Sequence, residues 1–432
     1  MAWGTDLLLA KPDVRGRSSV SRAKLIYINI DGFSYSYLDL LRRMGRSAEL
    51  DELISEALLL ENLSSGLISI TNPMQGAILA GAWSDRTQNI YQHYDPDSGE
   101  VVKHRRTLAA ENVGQLFHRH GDTVVSIHQF MLAGNPCEYG DKNATYVTVP
   151  RQPSNAFDRL QLLEDLLRRN TVLSGETSIT YPELPDFIAV YIDDIDSLGH
   201  NNDYENYPRR RLFAERQLDI AERLQLILRR ILELYRLSRS GKDGARIIWL
   251  ITTDHGMTPF YGKSSLPLLI KELDAAGLTC RLPEERCAGT LLVALPYTIE
   301  LALYPTRALT AEESRRIMAI CAAQPYVRKV FTRQEMLTEY HMDPRGPEFL
   351  LCPTYGEHFY KRDAEPGFFA ASHDSCDATS QHIFGLLLGD QVRKGTFQAP
   401  VSAIDLMPTI LKHAFDYTLS DSVGKVFEGF FC

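Results

Sequence analysis

Four places in the chain carry residues that bind hard or borderline metals: Asp31, the pair Asp196-Ser-Leu-Gly-His200, the dipeptide Asp254-His255 and the dipeptide His373-Asp374. A carboxylate and an imidazole four residues apart can serve one ion from a single helical turn. Taken together, these oxygen and nitrogen donors suit two divalent cations, with zinc or another divalent transition metal the natural occupant. Any one Asp-His pair is commonplace, whereas several meeting at one sheet edge would not arise from packing alone. A metal pair also needs something to activate. Thr71, in Ile68-Ser-Ile-Thr-Asn-Pro-Met-Gln75, offers a hydroxyl that is a poor nucleophile until a nearby charge lowers its pKa. The competing reading of Thr71 is a plain helix cap, and Ser69 is the neighbouring hydroxyl that could take its place.

The elements that must hold these groups are legible as short apolar runs that stop at acids. Residues 24–30 run into Asp31-Gly32, residues 186–192 into Asp193-Asp-Ile-Asp196, and residues 246–253 into Asp254-His-Gly256. Nearly continuous runs rich in β-branched residues predict strands buried on both faces of a parallel sheet. Ligands of such sheets gather beyond the carboxyl ends of the strands. Helical spacing predicts helices over 74–82, 156–170 and 208–240, the last starting at Pro208 with its three arginines. Residues 290–304 read as a strand, 310–323 as a helix, 326–332 and 382–389 as strands, and 401–415 as a closing helix. The expected fold is an α/β/α sandwich around a mostly parallel sheet. Its core would comprise residues 24–258 and 371–432, interrupted by a small α+β cap at 259–370.

Composition narrows the function classes. The chain has 432 residues, 44% hydrophobic and 23% charged, with a net charge of −9, which excludes a wholly disordered chain. The acidic balance argues against nucleic acid as a partner. Seven scattered cysteines without CxxC spacing do not read as a disulfide framework. The first eleven residues hold too short an apolar run for a secretory signal, and no run approaches the ~20 residues of a membrane span, so a cytoplasmic location is expected.

The order of these motifs resembles the alkaline phosphatase superfamily, and within it the nucleotide pyrophosphatase/phosphodiesterase and phosphonoacetate hydrolase group. The likeness runs from strand–Asp31-Gly32 through Thr71-Asn-Pro73, Asp196-x-x-x-His200, Asp254-His-Gly256 and His373 to Asp405-Leu-Met-Pro-Thr-Ile-Leu411, over residues 24–415. It implies an alkaline phosphatase-like core and two zinc sites, one of Asp196, His200 and His373, the other of Asp31, Asp254, His255 and the Thr71 oxygen. It also implies hydrolysis of phosphodiester or phosphoanhydride bonds through a phosphothreonine at Thr71, on a small phosphate ester or nucleotide-like substrate. Phosphomonoesterase or phosphonate hydrolase activity would use the same machinery, and a metal-binding module without activity is the non-enzymatic rival. The chain departs from the pattern at Met74-Gln75, where Asn-His is usual. The amide expected some 20 residues past the nucleophile falls on Asn89 or Gln92, with Asn72 a third substrate-binding candidate. Gln75 in place of Arg argues against a sulfatase. His358, Lys103-His-Arg-Arg106 and the cap cations Lys263, Arg345 and Lys361 are more distant candidates for substrate contact.

Overall fold

The computed structural model describes residues 22–149, 154–201 and 211–432. Eight strands form the central sheet. From one edge they are Gly395–Phe397, Leu58–Leu60, Gly385–Leu388, Ile247–Thr252, Lys24–Ile30, Phe187–Ile192, Val124–Ile127 and Ala144–Val147. All run in one direction except Gly385–Leu388, which is antiparallel to both its neighbours. Lys24–Ile30, the first strand in the chain, lies at the centre between Phe187–Ile192 and Ile247–Thr252. The three acid-terminated runs are therefore adjacent, and their carboxyl ends share one edge.

Alternation along Lys24–Ile30 explains the layers. Ile26, Ile28 and Ile30 point to one face, where they meet helices Ser36–Arg43, Ala48–Glu56, Ala156–Arg168 and Phe213–Ser240. Leu25 and Tyr27 point to the other, against helices Thr71–Ala80, Val113–Arg119 and Leu406–Ile410. Every residue of the strand is buried, as a sheet covered on both sides requires. Helix Ala156–Arg168 starts on a capping box between Asn155 and Asp158. The long helix is described from Phe213. Pro208 and the first two arginines of its expected start lie outside the described residues, as do the chain's first eleven.

Between Thr258–Pro259 and Ala371–Ser372, which pair antiparallel and clasp the two ends of the insertion, the chain forms a second sheet. Its five strands are ordered Cys280–Arg281, Leu292–Pro296, Leu301–Pro305, Phe349–Pro353 and Val327–Thr332. Leu269, Leu292, Leu303, Ile317 and Leu351 form a core of its own on one face. The other face packs Val293, Leu295, Ala302 and Leu350 against Leu67, Ile68, Ile70 and Ile90 of the main body. The segment leading to Thr71 is thus part of a core shared by both sheets.

Three sequence expectations change. Residues 290–304 form a hairpin, Leu292–Pro296 with Leu301–Pro305, because the Asp374 carboxylate accepts the N–H groups of Thr298, Ile299 and Glu300 at 2.6, 2.7 and 3.0 Å and folds the run back. The closing helix of 401–415 is broken into a strand pair at Val401–Ser402, a tight turn, an α-helix Leu406–Ile410 and a wider turn Leu411–Phe415. Asp405 starts the helical part by accepting the Ser402 N–H at 2.8 Å. Two of the seven cysteines, Cys352 and Cys376, form a disulfide with Cα atoms 6.0 Å apart. No helix among the described residues is long and apolar enough to cross a membrane.

Ile28 is fully buried on the central strand, with packed layers on both sides to prevent collapse around a void. Ile28→Ala is expected to cost about 2–5 kcal/mol. A urea midpoint lowered at unchanged slope would show this, and an unchanged midpoint would contradict the two-sided packing.

Candidate active site

The strand ends deliver the acids. Asp31 follows the last residue of Lys24–Ile30, and its N–H donates to the Ile192 carbonyl of the neighbouring strand at 2.8 Å. Gly32 follows at φ +79°, with the backbone of Asp196 only 3.0 Å from where a Cβ would sit. A side chain there would push apart Asp31 and the helix Asp194–His200, whose Asp196 N–H donates to the Asp31 carbonyl at 3.1 Å. Asp254 and His255 follow Ile247–Thr252. Gly256 comes next against the Thr379 carbonyl, so close that no side chain fits.

These residues form two adjoining groups. Ligand atoms of Asp31, Asp254 and His255 lie within 4.8 Å of one another, and so do those of Asp196, His200 and His373. The His255 and His373 rings stack at 3.9 Å and join the groups. Asp31, Asp254 and His255 are buried, while Asp196 and His200 remain partly open.

The histidine tautomers define what the groups can hold. His255 Nδ1 lies 3.1 Å from the Gly256 carbonyl and His373 Nδ1 lies 3.0 Å from the Ser69 carbonyl. A carbonyl only accepts, so each Nδ1 carries the proton and each Nε2 presents a lone pair. Those lone pairs face carboxylate oxygens: His255 Nε2 is 3.2 Å from Asp31 Oδ1, and His373 Nε2 is 3.9 Å from Asp196 Oδ1. Both oxygens are buried and accept no hydrogen bond. Acceptors aimed at acceptors in a buried site fit a divalent cation between them.

Electrostatics gives the same picture. Burial and the neighbouring Asp254 and Asp196 push the Asp31 carboxyl well above the usual range, and burial also raises Asp254. Burial works against ionised Asp196, but His200 beside it outweighs this and holds the carboxyl low. Burial and the facing His255 push His373 well below the ordinary imidazole value, which leaves it neutral and ready to ligate.

Thr71 sits at the first position of helix Thr71–Ala80. The site thereby gains the unpaired N–H groups and partial positive charge of a helix start. Its Oγ1 is 3.1 Å from His255 Nε2. Ser69, the rival hydroxyl, donates to the His373 carbonyl at 2.5 Å and is fully buried. Asn72, next along the helix, is partly exposed beside Thr71.

The other amide candidates have different work. Asn89 donates to the Thr107 carbonyl at 3.0 Å and accepts the Tyr91 N–H at 3.0 Å. Gln92 donates to the Pro296 carbonyl at 3.3 Å. Both amides hold loops together through these bonds. His358 is fully buried, bonding the Gly262 carbonyl and the Tyr360 N–H. In the basic run, His104 is buried against His93 at 2.8 Å, and Arg105 and Arg106 are exposed. Arg345 and Lys361 are paired with Asp343 and Glu284, and Lys263 is exposed. Asp374 anchors the hairpin.

Two positioning residues were not anticipated. Tyr191 donates its hydroxyl to Asp31 Oδ2, and Gln75 donates to Asp254 Oδ2 at 3.0 Å while accepting from Gln129 at 2.7 Å. The helical period placed Gln75 on the Thr71 face, four residues on. For Tyr191 the signal lay in strand register, opposite Asn29 and two residues from the acid edge.

Residues 25–381 match the sequence profile of the type I phosphodiesterase / nucleotide pyrophosphatase family. No curated protein sequence matches the chain. Among solved structures, an inactive variant of murine ectonucleotide pyrophosphatase/phosphodiesterase 5 in complex with AMP superposes with a TM-score of 0.65 at 15% identity, covering 94% of this chain and 98% of that one. Phosphonoacetate hydrolase from Sinorhizobium meliloti 1021 with phosphonoformate gives 0.64 at 17% identity, over 89% and 94%. Alkaline phosphatase PafA gives 0.64 at 13%, over 96% and 100%. The fold is alkaline phosphatase-like, and the chain belongs to the type I phosphodiesterase / nucleotide pyrophosphatase family of phosphoric ester hydrolases.

Proposed function

We propose that this chain is a zinc-dependent phosphodiesterase or nucleotide pyrophosphatase that works through a phosphothreonine at Thr71. The observation that carries this reading is the pair of Nε2 lone pairs turned toward unpartnered Asp31 and Asp196 oxygens, with the Thr71 hydroxyl on the same Nε2 of His255. One ion would be held by Asp31, Asp254, His255 and the Thr71 oxygen, the other by Asp196, His200 and His373. Bound there, divalent ions supply Lewis acidity for the attacking and leaving oxygens.

The chain's own groups do the rest. Thr71 Oγ1 gives up its proton and attacks phosphorus, forming the Oγ1–P bond as the ester oxygen departs on the opposite side. Hydrolysis of that bond by water returns Thr71. Gln75 and Tyr191 fix the orientation of Asp254 and Asp31, so the nucleophile meets a preformed charge distribution. The N–H groups at the start of helix Thr71–Ala80 and the Asn72 side chain are the donors nearest the non-bridging oxygens. A cleft of about 170 Å³ beside His200, lined by Phe260, Tyr360, Arg362 and Phe368, offers room for an organic group.

Charge supports a diester over a monoester. The dianion of a monoester needs extra cationic donors; Arg345 and Lys361 are committed to Asp343 and Glu284, and Arg362 of the cleft donates to the Tyr360 hydroxyl, which leaves Lys263 as the exposed cap cation. Arg86 donates to the Asp421 carbonyl.

Elemental analysis of active protein should find two transition-metal ions per chain. Chelation should remove them together with activity, and zinc should restore both; no ion or a single ion would contradict the two-site reading. Thr71→Ala should lower kcat on the order of 10³-fold or more with fold and most metal retained, and Thr71→Ser should keep part of the turnover. Near wild-type turnover by Thr71→Ala would place the nucleophile elsewhere. An activated nucleotide diester should show the higher kcat/KM when compared with the matching monoester and a phosphonate at one pH and zinc level. A tenfold preference for either rival, about 1.4 kcal/mol, would reassign the substrate class.

A further inference from the structure

A second cluster of donors lies outside the phosphoryl-transfer site. Glu300 ends the hairpin turn held by Asp374, Cys352 belongs to strand Phe349–Pro353, and Cys376 lies three residues past His373. One ligand atom from each of the three lies within 4.8 Å of the other two. Glu300 is fully buried, and neither carboxylate oxygen has a hydrogen bond of good geometry. The nearby Cys376 N–H points instead at Cys352 Sγ, 3.1 Å away. The closest charged neighbour is another carboxylate, Asp374, whose Oδ2 is filled by three N–H donors. With Cys352 and Cys376 in a disulfide, the poorly aligned Cys376 N–H is all that faces Glu300, and burying a carboxyl in that condition is costly. A cation on the two sulfurs would supply a partner.

We propose that Glu300, Cys352 and Cys376 form a third metal site, for a thiophilic divalent ion such as zinc, which exists in the dithiol state and is replaced by the disulfide on oxidation. Thiolate sulfur and carboxylate oxygen are both zinc ligands. Tetrahedral Zn–S bonds place the sulfurs about 3.8 Å apart, which is within the reach of this cluster. Entry of the ion expels the two thiol protons and the carboxyl proton. In the opposite direction, a small-molecule disulfide is the oxidant. One protein thiolate attacks it and expels a small thiolate, the second protein thiolate then displaces the other, and the ion is released. The sum is one protein disulfide, a free ion and two small thiols, with two electrons passed to the small disulfide and two protons taken up from solvent. The ion couples the strand carrying Cys352 to the loop carrying His373. The site stands independently of the function proposed above, since its ligands are different residues.

Cobalt(II) tests it on the full chain, because the Asp/His groups contain no thiolate and give no sulfur-to-cobalt charge-transfer band. Chelator-stripped protein is titrated with Co²⁺ after reduction by a phosphine and, in parallel, after oxidation by a small-molecule disulfide. Reduced protein should develop a charge-transfer band that saturates at one ion per chain, and oxidised protein should show none. Cys376→Ser should lose the band, and Glu300→Gln should require at least tenfold more Co²⁺ to reach it. The weaker d–d absorption of the Asp/His groups shows that each variant is folded. A reduced protein without the band, or a band that persists in Cys376→Ser, would overturn the site. So would a Glu300→Gln titration identical to wild type.

Discussion

Asp31, Asp196 and Asp254 repel one another in a space from which water is largely excluded, and much of the fold exists to hold them there. Left alone, such groups would protonate or turn away. Each is tied in place: Tyr191 bonds Asp31 Oδ2, Gln75 bonds Asp254 Oδ2, and Asp196 is anchored through its own N–H on the Asp31 carbonyl. The strain is tolerable because the acids stand on three adjacent strands of a sheet packed on both faces. A looser scaffold would relax by moving the strand ends apart.

The inserted sheet shares in this. Its inner face and the segment before Thr71 make one apolar core, so the Thr71 helix is set against the insertion as much as against the main sheet. Asp374 ties the hairpin turn to the residue after His373, and Ser69 holds the same loop by donating to the His373 carbonyl. Two short polar links thus fix where the loop, the hairpin and the helix start meet. The cleft beside His200 lies at this junction and is walled mainly by insertion residues.

The strand–acid junctions were readable in the sequence, because a buried parallel strand announces itself as an apolar run and its end as the first charge. Helices with local caps were equally readable: Thr310 caps Ala311–Ala322 through a box with Glu313 that lies entirely within four residues. What escaped depends on partners far away along the chain. The fold-back at residues 297–300 is caused by Asp374, the bonding of Cys352 to Cys376 by the meeting of a strand and a loop, and the Tyr191–Asp31 bond by strand register. Asn89 and Gln92 were chosen by counting along the chain from Thr71. Such a count ignores the intervening turn, whose left-handed Gln88 and Tyr91 (φ 57° and 67°) redirect both amides into loop contacts.

The three N–H groups of the hairpin turn converge on a single oxygen of Asp374, which makes the insertion and the His373 loop one mechanical unit. A molecule that shifts the insertion when it settles in the cleft must also shift His373, and whatever fixes His373 must bias the insertion. By linkage the two effects are equal in free energy. Occupancy of the cleft and the placement of His373 are therefore expected to be thermodynamically coupled, even where a molecule in the cleft and the imidazole do not touch.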